Sequence, residues 1–301
     1  MTAARNFWMG AALAAAIVAA PARAARERDV AQRVAAEADG QVIVNNIVGS
    51  VNVEGWDKAE VDVAGTVGAG VERLDVLRDG KRVTVKVVLP KTDRHNDADA
   101  DLTIRVPKGS SLEVTTVSAD TEVRGVAGPL RLKSVSGEIV ARDAAKDCEI
   151  KTVSGDIRAS AANSPAKMIV YSVSGNVVVD DLAGEIEATT VSGDMTLDLG
   201  TLTGVRLRTT SGDTRLGGRL AKGARVDYES VSGDLSAALA SEAGFAAEVD
   251  TFSGSLSNCF GVRPEAVGKY GPGERMSLTR GAGGAQVRAR TMSGDVGICD
   301  R

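Results

Sequence analysis

From Gln41 onward apolar and polar residues alternate in short runs: Val42 and Val44; Val51 and Val53; Val61 and Val63; Val83, Val85 and Val87; Leu102, Ile104 and Val106. Each run is bounded by Gly, Asp, Asn or Pro, the pattern of strands half buried against a core. The most polar interval, Lys91 to Asp101, carries the single histidine, His95, and predicts an exposed loop. Upstream, Val30 and Val34 stand four apart among Ala, Arg and Glu. One or two helical turns or an irregular leader would fit there, and the leader is preferred.

Beyond Thr116 the alternation becomes a repeat. Nine copies of one phrase, Ser/Thr, usually Val, Ser, Gly, then an acidic residue, are centred on Ser118, Ser136, Ser154, Ser174, Ser192, Ser211, Ser232, Ser253 and Ser293. The intervals are 18, 18, 20, 18, 19, 21, 21 and 40 residues, and a period near 20 signals a stacked architecture. Four residues before the serine the position is always apolar, from Val114 and Leu132 to Val249 and Ala289. Two before it comes Ser or Thr, and after it comes Gly, or Ala119 once, small enough for a sharp turn. A unit this short cannot bury its own apolar side, but stacked units can. The expected fold is therefore all-β: a parallel β-solenoid with an N-terminal β cap region. Its coils would lie about 4.8 Å apart, so that each position of the phrase becomes a column. The Ser/Thr and Ser columns are expected to hydrogen-bond from coil to coil.

The residue before each central serine (Val117, Val135, Val153, Val173, Val191, Thr210, Val231, Phe252, Met292) poses a separate question. Strict alternation would leave it facing solvent as an apolar stripe, with Val135, Val153, Val173, Val191 and Val231 as a candidate interaction surface. The preferred reading is that a bend at the Ser-Gly corner turns it into the core, since an open valine column invites aggregation.

The cysteines test the register. Cys259 and Cys299 each lie six residues after a central serine. If one coil separates them their Cα atoms are about 5 Å apart, within disulfide range, and the interval of about 261–280 is an insertion. A Cys259–Cys299 bridge is expected to staple the last coil, leaving Cys148 buried and unpaired.

The first 24 residues supply Arg5, an apolar run from Phe7 to Ala20 broken by Gly10, and Ala22-Arg23-Ala24, which reads as a cleavable secretory signal. With no cysteine before Cys148, lipid attachment at a new N-terminus is not expected, nor is membrane insertion after cleavage. The expected organisation is then signal peptide 1–24, leader 25–40, N-terminal β region 41–109, and solenoid repeats 110–301. Loss of Arg5 and Arg23 leaves 34 basic against 40 acidic residues, a formal charge of −6, which makes nucleic acid a poor partner.

Candidate chemistry centres on the acidic column Asp120, Glu138, Asp156, Asn176, Asp194, Asp213, Asp234, Ser255 and Asp295. Its regularity marks it as part of the repeat rather than as a catalytic exception, and Asp and Asn suit corners because they accept backbone N–H groups. The Gly-Gly-x-Gly calcium phrase is missing, although weak divalent-ion binding along stacked carboxylates stays open. The chain has no Gly-x-Ser-x-Gly, phosphate loop, dinucleotide fingerprint or metal-spaced His/Cys cluster, so no cofactor, catalytic or metal residue is assigned.

Leu102-Thr-Ile-Arg-Val-Pro-Lys-Gly-Ser-Ser-Leu-Glu-Val and Ser134-Val-Ser-Gly-Glu-Ile with its later copies resemble the bacterial "putative adhesin" family of unknown function, whose repeats are related to the toast-rack domains of envelope-stress proteins. The likeness runs from about Gln41 to Ile298. It implies a non-catalytic, exported β protein acting as a binding or scaffold module, with an envelope protein or polysaccharide as partner in the periplasm or at the cell surface. Two alternatives stand beside it: a ligand-sensing component of an envelope-stress response, and an enzyme acting on envelope polysaccharide.

Overall fold

The computed structural model describes residues 27–91, 98–161, 165–268 and 272–300; the expected signal peptide and His95 lie outside them. The described residues form twenty-five strands joined in one sheet, with no helix among them. The chain is all-β.

Each phrase forms one rung of two strands meeting at the Ser-Gly corner. The strands before the corner stack in parallel as a first ladder, through Ser111–Thr115, Leu130–Ser134, Cys148–Thr152, Pro165–Ser174 and Ala183–Ser192. The strands after it stack likewise as a second ladder, through Ser118–Arg124, Ile139–Ala144, Ile157–Ala161 and Val177–Asp180. Register is constant: Val114, Leu132, Ile150, Val170, Ala188, Leu207 and Tyr228 are successive partners in the first ladder. All of them are buried and join one continuous core. Unequal spacing between phrases is absorbed away from the corners, by register shifts between Asp198 and Thr201 and between Leu202 and Gly204.

Orientation is mixed, which departs from a purely parallel solenoid, and the departures lie at the two ends of the stack. Glu60–Val67 pairs antiparallel with Asp99–Pro107, Arg73–Asp79 with Arg82–Val88, and Glu274–Arg280 with Phe245–Ser253. The segment expected as an irregular leader holds a strand, Arg28–Ala35, antiparallel to Glu60–Val67. Alternation explains it: Val30 and Val34 fall on the less exposed positions of that strand.

Chain order and spatial order differ at both ends. The rung Gln41–Trp56 lies between the rung Arg82–Pro107 and the rung Ser111–Arg124. At the other end Ala285–Cys299 lies between Arg225–Ala240 and Phe245–Asn258. The outermost rung at each end is therefore an internal stretch of sequence, and antiparallel strands cover the outer edges of Arg82–Val88 and Asp99–Pro107 at one end and of Phe245–Ser253 at the other. A bare parallel edge would template pairing with another chain, so this arrangement protects both ends.

One correction to the expected organisation follows. Gln41–Trp56 is a full rung, with Val44 opposite Val114 and Gly49 opposite Ala119. Its phrase, Asn46-Ile47-Val48-Gly49-Ser50, has Asn in place of Ser/Thr and Val in place of the central serine. Asn46 is buried in the Ser/Thr position, donates to Ala100 O at 2.9 Å and accepts from Ile47 N–H at 2.8 Å, so its amide is satisfied at the corner by bonds of its own.

Candidate functional site

The corner begins with the buried Ser/Thr. Gly137 N–H donates to Ser134 Oγ at 2.9 Å and Gly155 N–H to Thr152 Oγ1 at 3.0 Å, closing a tight side-chain turn. The ladder runs on through the bend: Ser136, Ser154 and Ser174 donate their N–H groups to Val117, Val135 and Val153 carbonyls, each at 2.8 Å. Between the buried hydroxyl residue and the buried or half-buried glycine, two consecutive residues, typically Val and Ser, are exposed. Glycine is required by the stacking: at Gly193 φ is +141°, and a Cβ there would collide with the Gly175 carbonyl oxygen.

The valine column is consequently exposed, and the preference for a core position is overturned. Fractional exposure runs from 43% at Val117, through 46–50% at Val135, Val153, Val173, Val191 and Val231, to 65% at Phe252. The valine keeps the outward face that alternation gives it, and the bend shifts the phase just after it, so the glycine rather than the serine turns inward. In spatial order the ridge is Val117, Val135, Val153, Val173, Val191, Thr210, Val231, Met292 and Phe252, eight steps or about 38 Å at the spacing of parallel strands.

Beside the ridge the central serines form a second outward column, with Ser118 Oγ 3.2 Å from Ser136 Oγ. One inner hydroxyl bridges rungs as expected, Thr251 Oγ1 donating to Gly294 O at 3.3 Å, but the column as a whole does not. Those of Thr116, Thr190, Thr209 and Thr291 are buried and have no hydrogen-bond partner. Their column is instead set by the corner's need for a small, β-compatible residue, with the local turn bond made in some rungs only.

The acidic column accepts backbone N–H groups, as expected of corner residues, but takes them from the neighbouring rung. Asp194 Oδ1 accepts the N–H of Asp213 at 2.9 Å, Asp213 that of Asp234 at 3.1 Å, Asp234 that of Asp295 at 2.8 Å, and Asp295 that of Ser255 at 2.7 Å. Asp120, Asp156 and Asn176 do the same for Glu138, Asn176 and Asp194. Each side chain thus accepts from the next rung in space, an arrangement not deducible from one copy of the phrase. Ser255 occupies the last rung, where no further N–H awaits an acceptor, which explains its departure from Asp. Glu138 is one methylene longer and pairs with Arg158. The N–H and hydroxyl of Ser255 hold the Asp295 carboxyl below the ordinary carboxylate range.

The outer face of the first ladder is charged with both signs. Lys133 pairs with Glu113 at 3.1 Å, Arg131 with Glu149 at 3.0 Å, and Arg208 with Glu229 at 3.1 Å. Contacts from Lys151 and Arg131 hold the Glu149 carboxyl down. A shallow groove of about 280 Å³ on this face is lined by Lys167, Glu185, Glu187, Arg206, Arg225 and Asp227 among others. Glu27, Asp99 and Asp101 are the one group of three carboxylates close enough to share an ion among the described residues.

At the far end Cys259 and Cys299 are joined as a disulfide, their Cα atoms 4.9 Å apart. The bridge ties the outermost rung to the one inside it, so the C-terminal rung is the inner partner. Phe260 packs edge-on against Phe245, centroids 6.0 Å apart. Cys148 is free and buried, and burial pushes its thiol up to about 12.

No curated protein matches the chain. Among solved structures it is similar to a "putative adhesin" from Parabacteroides distasonis ATCC 8503, with 13% identity, 90% of this chain and 97% of that one covered, and a TM-score of 0.49. A "putative adhesin" from Bacteroides fragilis NCTC 9343 shows 12% identity over 91% and 97% of the two chains, TM-score 0.36. A "putative lipid binding protein" from Parabacteroides distasonis shows 10% identity over 89% and 96%, TM-score 0.36. The family model Toastrack DUF4097 matches residues 49–299, nearly the whole repeat array, and the chain belongs to that family.

Proposed function

We propose that this protein is an exported, non-catalytic binding or scaffold module of the cell envelope, in the periplasm or at the cell surface. Its rungs are read as coils of one solenoid, a rigid rod that holds the valine ridge straight. The exposed ridge carries the reading, because soluble monomers rarely expose so extended an apolar strip without a partner for it. Export rests on the signal-like segment ending at Ala24. A non-catalytic role is supported by the acidic column, whose carboxylates are occupied with backbone N–H groups of neighbouring rungs.

The experiment is crosslinking and pull-down from envelope fractions, comparing the protein with a Val135→Lys, Val153→Lys, Val173→Lys variant checked for folding by circular dichroism. The variant is expected to fold, since these side chains already face solvent, and to lose the partners captured by the parent. Equal capture by both would sink the reading and move the search to the charged flank.

A further inference from the structure

The valine ridge is flanked by two exposed columns of different character. On the second-ladder side stands the acidic column; on the first-ladder side, three residues before each central serine, stands a mixed column containing Lys133, Lys151, Arg208 and Arg290. In four of the nine rungs the two are opposite in charge: Lys133 shares its rung with Glu138, Lys151 with Asp156, Arg208 with Asp213, and Arg290 with Asp295. Glu229 with Asp234 is the like-charged exception.

From this pattern we infer that the ridge and the serine column beside it form the interface of a homodimer, two copies packed corner to corner with their stacks parallel and in register. The inference rests on the binding reading above and names the partner as a second copy of this chain. Symmetry decides the direction. A dyad along the stack exchanges the two flanks, so each copy's Lys133, Lys151, Arg208 and Arg290 face the other's acidic residue of the same rung, and each valine meets the partner's serine column. A dyad across the stack would instead lay acidic column on acidic column for the whole length of the ridge, which like charges oppose. The four cations already have partners on their own flank, but those pairs are solvent-exposed and individually weak, so sharing them across an interface is inexpensive.

Size and pitch agree with this. The ridge presents eight large apolar side chains, each 43–65% exposed, as one contiguous strip of the kind that marks a protein-protein surface. A row of side chains repeating at the strand spacing matches only a surface with the same pitch, and a second copy has it at every rung.

Sedimentation equilibrium of the purified protein at micromolar concentration, with single-cysteine crosslinking of Val153→Cys and Val231→Cys, tests the proposal. Both substitutions are small and at exposed sites. In the parallel dimer the sedimented mass is twice that of one chain, each variant crosslinks to itself, and a mixture of differently tagged variants yields no 153–231 product. Antiparallel packing would give only the mixed product, because Val153 and Val231 are equidistant from the middle of the ridge. That result, or a monomeric mass with no crosslinking, overturns the proposal. A monomer whose Lys variant still loses envelope partners would leave the binding reading standing and remove the dimer alone.

Discussion

A glycine and an aspartate two positions on the corner do most to define the stack, by opposite means. Gly193 is needed for what it lacks: Gly193→Ala adds a Cβ against the Gly175 carbonyl at φ +141°. It is expected to cost about 3 kcal/mol, strain and overpacking together, read as a lowered denaturant midpoint. Asp213 is needed for what it accepts. Asp213→Ala removes the acceptor of the Asp234 N–H and should cost about 1 kcal/mol, whereas Asp213→Asn keeps the carbonyl and should cost much less, as Asn176 already does this in the native chain. If Ala and Asn lower the midpoint equally, the ladder bond is not the reason for the aspartate. The two residue types were readable as columns from one dimension of sequence; the acceptor role was not, because its donor is on another rung. The exposure of the valines follows from strict alternation and was misjudged only by expecting the corner to act on them: the phase resets one residue later, at the serine, so the valine keeps the outward face of its strand.

Cysteine chemistry spans residue and rung. Denatured but unreduced protein is expected to react with one equivalent of a thiol reagent, from Cys148. Native protein at mildly alkaline pH should react with none, since that thiol is buried and its thiolate strongly disfavoured. At the level of the element, the Cys259–Cys299 bridge closes a 40-residue interval that holds the antiparallel strand Glu274–Arg280. Replacing both cysteines by Ala is expected to lower stability by up to about 4 kcal/mol on a chain-entropy account. Amide exchange should quicken first in Phe245–Asn258, the outermost rung, and uniform loss of protection along the stack would contradict that assignment. The spacing of the cysteines from their serines made the pairing readable in sequence. The exchange of order between the last two rungs was hidden, since equal phase places two rungs side by side without saying which lies outside. The strand Arg28–Ala35 was missed because its apolar positions are too few to distinguish a covering strand from a helical turn.

For the whole molecule the repeat makes stability close to a sum over rungs, with the ends as the vulnerable terms. Excising residues 136–153 would join Val135 to Ser154 and remove one whole rung while keeping every column in phase. The shortened protein is expected to fold with an unchanged β-type circular dichroism spectrum and a modestly lower melting temperature. Removing 17 residues from the same stretch instead would throw the second ladder onto the wrong face and prevent folding. Acid should act on the acidic column from the outside. The Asp295 carboxyl is held below its ordinary range, so its contribution is present in full above that range and fades as pH falls through its lowered native value. The contribution of the Asp295–Ser255 contact should accordingly hold through mildly acidic conditions and be lost only under strong acid. Asp295→Asn should flatten that loss, because an amide accepts the Ser255 N–H at any pH. An acid limb identical in parent and variant would place the titrating groups elsewhere, with the paired Glu149 on the opposite flank as the next group to substitute.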